Sequence, residues 1–518
     1  MSIDDNRPAQ TSTTPSGAST RGATMALVAA FLGWLFDGFE MGLFPLIGKP
    51  ALEDLLPNSD VYVRVQWFSV IIAVFLVGAA TGGVLFGWLG DKLGRVKAMT
   101  LAIFTYAVFT GLCAFVSEAW QFAGLRFIAS LGMGGEWSLG VALVNELWSG
   151  RSRIWIAGLI GAAANFGFLM TGLLSLLLNE FLEGVTQSLY TVGLSESTTE
   201  YLLHNRAWRF LAVTGAAPAL INFFILMFVP ESHKWEQEKK SGNTSHWATS
   251  DLVGVLIATI AALFIIYAWS PLATFGTAAA GVITVVGLGV AFLGYIYPVR
   301  RYISRADASR VTPASASDHR SVFKHLLLGA GLAGVALLGT WGSTQQAPKW
   351  SADLLPAGST IPLIEYGVIA ISIGAIVSTL ITPLIADKLG RRTTYTLLCA
   401  ASLLTATGFF QLNTPFTSDT VPLSFFVTSF LLGGVTASFY GFFPLYFPEL
   451  FPTSVRATGQ GFCFNFGRLI AAVGALQLGN LVAIFGTPAN AYTTLSCVYL
   501  IGMVIVWFGP DIKGTELK

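Results

Sequence analysis

Long apolar runs separated by short polar breaks dominate the chain. The first six fall at 24–47, 67–89, 98–117, 119–147, 154–180 and 208–229, and a charged segment, 230–240, closes the set. Two more follow at 252–269 and 273–297, then a basic stretch from Arg300 to Lys324. Six final runs lie at 325–342, 364–386, 394–412, 421–446, 458–485 and 490–509. Many reach about 18 to 25 residues, which at about 1.5 Å per residue spans a hydrocarbon layer of roughly 30 Å. The pattern predicts about fourteen membrane-spanning helices in an all-α protein.

Composition agrees. Hydrophobic residues make up 54% of 518 positions and charged residues 11%, against about a quarter charged in a soluble domain. A net charge of +1 gives no reason to expect a nucleic-acid partner. Residues 1–22, rich in Ser, Thr, Ala and Pro, read as a disordered cytoplasmic tail. They are not a cleaved leader, because the run beginning at Met25 is long enough to span and is expected to be retained. Cys113, Cys399, Cys463 and Cys497 sit inside apolar runs with no metal or disulfide spacing, so they are expected to act as small hydrophobes.

Lys and Arg set the orientation, since cytoplasmic loops carry their excess. With both termini in the cytoplasm, most of the 29 basic residues fall on that side, and only Arg126 and Arg468 remain deep inside runs. A central pair of helices preserves this balance, because an even number returns the chain to the side that holds Arg300, Arg301, Arg305 and Arg310. The expected organisation is a tail (1–22), a six-helix bundle (23–240), an inserted helix pair (241–299), a basic cytoplasmic linker (300–324) and a second six-helix bundle with a short tail (325–518).

Repeated phrases relate the two halves. Asp91-Lys92-Leu93-Gly94-Arg95 follows the second run, and Asp387-Lys388-Leu389-Gly390-Arg391 stands at the equivalent place in the second half. Glu146 precedes Arg153 by seven residues after the fourth run, and Glu449 precedes Arg456 by seven after the tenth bundle-forming run. Pro230-Glu231-Ser232 closes one half and Pro510-Asp511 the other. Parallel repeats of this kind mark a two-bundle, alternating-access architecture with pseudo-two-fold symmetry.

Together these phrases, with Trp235 and Lys513-Gly514, resemble the major facilitator superfamily in its sugar-porter-like branch. More narrowly, Trp34-Leu35-Phe36-Asp37-Gly38-Phe39-Glu40 and Gly132-Met133-Gly134-Gly135-Glu136-Trp137 are similar to the sialate and lactate:proton symporter family. So are Arg456, Gly459, Gly461 and Asn465 in the eleventh bundle-forming run, and the central pair itself. The resemblance implies a secondary transporter, with an acid on the first helix and an arginine on the fourth serving coupling.

An ionisable group in the bilayer is costly unless paired or hydrated, so each is a functional candidate. Asp37 lies about 20 Å along the first run and Arg126 about 9 Å from the outer end of the fourth, where that run begins. Antiparallel neighbours bring both into one half of the membrane, where they are expected to form a proton-sensitive pair, or else a static buried one. Glu40, three residues beyond Asp37, points to the same region. Glu136 is ten residues past Arg126, off its face, and is expected to take another partner, as a second protonatable site or a packing residue.

In the second half the pattern leaves Arg468 as the intramembrane charge, near the midplane. A guanidinium fork there binds a substrate carboxylate through two hydrogen bonds, unless it pairs with a remote acid such as Glu136. Asn465 shares its face; Gln345, Gln346 and Tyr440 are further substrate-binding candidates. Asp91, Arg95, Glu146, Arg153, Asp387, Arg391, Glu449 and Arg456 are expected to form a cytoplasmic gate of ion pairs that break as it opens. The expected function is proton-coupled symport of a small organic anion, a monocarboxylate or sialate-like acidic sugar, by a monomer among inner-membrane lipids. A sugar or polyol porter is the alternative. A sensor or enzyme finds no support: no histidine lies deep in a run, no metal cluster or cofactor signature appears, and the soluble segments are short.

Overall fold

Within a bilayer every backbone N–H and C=O needs a partner in its own segment, which selects helices for these apolar runs. The computed structural model describes residues 20–511 apart from 148–151, 228, 230, 232, 241–247, 309–315, 357, 419 and 452–455. The expected tail therefore lies outside the described residues up to 19; Thr20 already begins a helix.

The first bundle comprises α1 (Thr20–Leu55), α2 (Val61–Leu93), α3 (Arg95–Leu112), α4 (Ala119–Leu147), α5 (Ser152–Glu180) and, after the short α6 (Leu182–Thr191), α7 (Glu196–Leu226). A surface helix α8 (His233–Lys240) leads to the inserted pair, α9 (Leu252–Ala268) and α10 (Thr277–Ala308). The second bundle begins with α11 (Ala316–Gly342) and its continuation α12 (Ala347–Ser351). It goes on through α13 (Leu363–Leu389), α14 (Arg391–Leu412), α15 (Leu423–Tyr446) and the bent α16 (Arg456–Leu476) with α17 (Leu478–Phe485). It ends with α18 (Pro488–Ser496) and α19 (Val498–Ile505). Among the described residues eleven helices are long and apolar enough to cross a membrane, and the α16–α17 pair, bent by 44°, makes a twelfth. Helices α4 and α7 fill the two other expected positions in the first bundle.

Two boundaries differ from expectation. The basic stretch 300–324 is not an open linker, since α10 runs on through Ala308 and α11 starts at Ala316; Ala, Arg and Lys are strong helix formers, so charge ended the apolar run without ending the helix. Residues 181–207, which lie between the fifth and sixth apolar runs, hold α6 and the first part of α7. That part ends at a break where Asn205, Arg206 and Ala207 are left-handed (φ 47°, 60° and 53°). The break is tied to the end of α1: the Asn205 amide donates to the Pro50 carbonyl at 2.7 Å, the Trp208 indole donates to Asp54 at 3.1 Å, and Arg209 pairs with Asp54.

Small residues set the packing distances. A Cβ on Gly134 would fall 1.8 Å from the Ala79 carbonyl oxygen, and one on Gly82 would fall 1.8 Å from that of Leu131, so α2 and α4 touch backbone to backbone. The bundles meet along α2 with α16 and along α5 with α13. The inserted pair covers the first of these seams from outside. The Thr81 hydroxyl on α2 hydrogen-bonds those of Thr259 (3.0 Å) and Tyr295 (2.8 Å), while Phe292 packs on Phe462 and Phe466 of α16.

The repeated loops have one structural meaning in both halves. Gly94 (φ 117°) and Gly390 (φ 89°) hold a positive φ that L side chains rarely adopt, turning the chain sharply between two helices. Each leaves the next helix with unbonded N–H groups. The carboxylate closing each half supplies the acceptor: the Arg95 N–H donates to Glu231 at 2.8 Å, and the Arg391 N–H donates to Asp511 at 2.9 Å. The Pro-Glu and Pro-Asp phrases are thus remote N-terminal caps for α3 and α14.

Candidate functional site

A cavity of about 120 Å³ lies between the bundles. One ordered water needs about 10–15 Å³ by this measure, so the space suits a small organic solute. Asp37 reaches it from α1, Asn165 from α5, Gln345 from the α11–α12 connection, Tyr440 from α15 and Arg468 from α16. Its walls are otherwise largely apolar, with aliphatic and small side chains interleaved with aromatic rings. Trp34, Trp341 and Phe168 line it, and Trp137 of α4 stacks on Phe464 of α16 with centroids 4.2 Å apart. The Arg468 guanidinium lies over the Phe464 ring at 4.9 Å, where cation–π attraction helps to hold an otherwise costly charge.

Within the first bundle the acids divide differently from the expected Asp37–Arg126 pair. Arg126 pairs with Glu40, which also accepts from the Thr110 hydroxyl at 3.1 Å. The reason is depth: Glu40 lies about 4.5 Å farther along α1 than Asp37, level with Arg126. Phe44 and Phe75 close around the guanidinium, with centroids 5.4 and 5.0 Å away. Asp37 instead faces Glu136, their side chains within hydrogen-bonding reach. Among the described residues no donor reaches either Glu136 oxygen or Asp37 Oδ1. Glu136 thus has the separate partner that its helical phase required. Tyr106, fully buried on α3 with no partner for its hydroxyl among the described residues, stands in the field of all three acids. A lone tyrosine in an apolar run gave no signal of this in the sequence.

Arg468 donates from Nη1 to the Ala79 carbonyl of α2 and to Asn465 Oδ1, both at 3.3 Å. The acid in its field is Asp37, and not Glu136. Asn465 does not line the cavity; it points at α2, because i and i+3 positions diverge by about 60° around a helix. Gln346 is also turned away, its amide donating to the Trp341 carbonyl at 3.1 Å. The second bundle holds one more charge than expected. Glu365, in the first turn of α13 and 8% exposed, accepts from the Ser175 hydroxyl of α5 at 3.0 Å, bridging the bundles. Its position at the edge of a run concealed it.

In the expected gate, Arg391 and Glu449 form a buried two-pronged pair at 2.9 and 2.7 Å. Arg95 is half-buried beside Glu231, and Asp387 is half-buried at the end of α13. The side chains of Asp91, Glu146, Arg153 and Arg456 lie outside the described residues.

Known proteins share this architecture. A family model described as "Sugar (and other) transporter" matches residues 23–252, and one described as "Major Facilitator Superfamily" matches 236–475. A metabolite transport protein of Haemophilus influenzae is 24% identical over 95% of this chain and 97% of its own. The cis,cis-muconate transport protein of Acinetobacter baylyi is 23% identical over 93% of this chain and 92% of its own. The solved structure of the proton:xylose symporter XylE superposes with a TM-score of 0.64 at 16% identity, covering 96% of this chain and 98% of that one, a likeness of fold.

Proposed function

We propose that this chain is an integral membrane transporter of the major facilitator superfamily, in its sugar-porter-like branch, a reading supported by the two family models that match successive parts of residues 23–475, and that it carries a small organic anion together with a proton by alternating access. The observation that carries the reading is Arg468: a buried guanidinium facing a cavity whose walls are mainly apolar, with several aromatic rings among them. Its fork fits a carboxylate, and the walls fit a compact apolar body. The resemblance to a muconate transporter, whose named substrate is a carboxylate, points the same way. The narrower likeness to sialate and lactate symporters is not needed for it.

Asp37 and Glu136 supply the proton site. Two carboxyls in contact with no donor beside them are satisfied by a proton shared between them. Asp37 also stands in the field of Arg468 across the cavity. Proton arrival on Asp37 removes the charge that balances Arg468, leaving the guanidinium to take the substrate carboxylate. Loss of the substrate on the other side restores the need for an ionised Asp37 and releases the proton. The empty cavity, with Asp37 ionised against Arg468, and the cavity holding both proton and anion keep the buried charges compensated, whereas one holding only the proton or only the anion is disfavoured. The Glu40–Arg126 pair, already closed, holds α1 to α4 and leaves Asp37 as the group that changes. The protein works as a monomer in the inner membrane with both termini in the cytoplasm, and the Arg391–Glu449 pair belongs to its inner gate.

Uptake into proteoliposomes with an imposed proton gradient tests this. Benzoate accumulates against its gradient and benzamide does not; equal uptake with and without a protonophore sinks the coupling. A second reading, a porter of neutral solutes, is favoured by one observation: Asp37 balances Arg468 without any ligand charge. Under it, benzamide or a neutral sugar is carried as well as benzoate.

A further inference from the structure

Arg468 and Asn465 reach out of their own bundle into a notch on α2. At the notch a Cβ on Gly83 would fall 1.8 Å from Asn465 Nδ2, so the asparagine amide occupies the space that any other residue at 83 would fill. Asn465 is 2% exposed and its Nδ2 has no acceptor among the described residues, so the buried amide is poorly satisfied. One turn away along α2, the Ala79 carbonyl accepts from Arg468, which in turn donates to Asn465 Oδ1. Both ends of the contact are fixed to different bodies. Ala79 is pressed against Gly134 of α4, so this stretch of α2 is locked to the first bundle. Arg468 and Asn465 belong to the second.

We propose that Arg468 and Asn465 form a latch closing the α2–α16 seam in the empty carrier, and that an anion binding Arg468 in the cavity opens it by replacing the Ala79 carbonyl as the guanidinium's partner. The argument rests on the proposed carboxylate site and adds to it the step by which occupancy becomes bundle movement. A neutral carbonyl is a weaker partner for a guanidinium than a carboxylate, so the exchange favours release. Asn465, held by Arg468 and poorly satisfied where it is, then leaves the notch. Asn465 and Gly83 are positioning residues, outside the cavity wall.

Spin labels at Leu93 and Leu389, both exposed and placed just before the two equivalent turns, read the separation of α2 and α13 by pulsed electron resonance in the full-length protein with its native cysteines replaced. Gly83→Ala overfills the notch, and Asn465→Ala empties it without adding bulk. Both are expected to widen the ligand-free distance distribution toward the one benzoate produces in the parent, and to tighten benzoate binding about three- to tenfold, since less closed carrier must be opened. Unchanged distances and affinity in both variants overturn the latch. So does benzoate binding that leaves the parent's distances unchanged. If the parent does not bind benzoate at all, the carboxylate reading fails instead, and the ligand-free distances of the two variants still decide whether the latch exists.

Discussion

The two bundles repeat each other where they turn and differ where they meet the cavity. At the turns, a glycine of positive φ and a carboxylate from the end of the same half cap α3 and α14 in the same way. In the interior, the first bundle buries Asp37, Glu40, Arg126 and Glu136, whereas the second offers Arg468 to the cavity and packs rings behind it, with Phe439 stacked on Tyr499 and Tyr395 against Phe442. The repeat therefore preserves what holds helices in place, and the chemistry is unequal. A carrier that moves by rocking two like bodies needs matched ends, but one proton site and one anion site suffice.

The sharpest test of that asymmetry is Asp37→Asn. Gradient-driven accumulation should fall to the level of empty vesicles while exchange of labelled for unlabelled substrate continues, because a permanently neutral amide imitates the protonated acid but neither takes up nor releases a proton. Retained accumulation would move coupling out of the first bundle. Next in size, Arg468→Gln should weaken benzoate binding roughly 10- to 100-fold, the range for lost hydrogen bonds to a charged group, measured by calorimetry. The Glu40–Arg126 pair offers a contrast: Glu40→Gln should lower thermal stability and leave benzoate affinity within about twofold, as it lies outside the cavity.

The matched turns predict matched, smaller losses. Glu231→Ala and Asp511→Ala should each cost about 1 kcal/mol, as lost caps do, read as equal shifts in the unfolding midpoint in detergent. Unequal shifts would show that the repeat is not energetic. Gly94→Ala should cost more than either, since its Cβ would also fall 2.3 Å from Glu231. The smallest effect lies at the rim. Burial opposes ionisation of Asp54, but hydrogen bonds and charge from Arg209 prevail and hold its carboxyl below the ordinary range. A depressed folded value stabilises above the unfolded one, near 3.9, and that stability is lost as pH falls through the folded value. Asp54→Asn should therefore cost well under about 1 kcal/mol at pH 7, given its partial exposure, and progressively less as pH falls through the folded value, by thermal melts across that window.

Legibility in the sequence followed the kind of interaction. Helix positions were readable because run length and apolarity are local properties, as at 363–389, where an expected 364–386 run became α13. The helix α6 was not, since a short amphipathic stretch outside the membrane carries no span signal. Among the candidate residues, Asp37, Gln345, Tyr440 and Arg468 do face one cavity. Asn465 and Gln346 do not, because which side of a helix meets the cavity depends on its rotation against neighbours.

By itself, then, the sequence determined an all-helical membrane protein of two related bundles with an inserted pair, and named the few charges that a bilayer would not hold without purpose. Only the tertiary structure decided how those charges pair. Asp37 faces Glu136 across a close α1–α4 approach, Arg126 takes Glu40 at its own depth, and Arg468 reaches over to α2. Pairing of this kind rests on differences of a few ångströms in depth and a fraction of a turn in rotation, which glycine contacts such as Gly134 on Ala79 fix and which no spacing along one chain can encode.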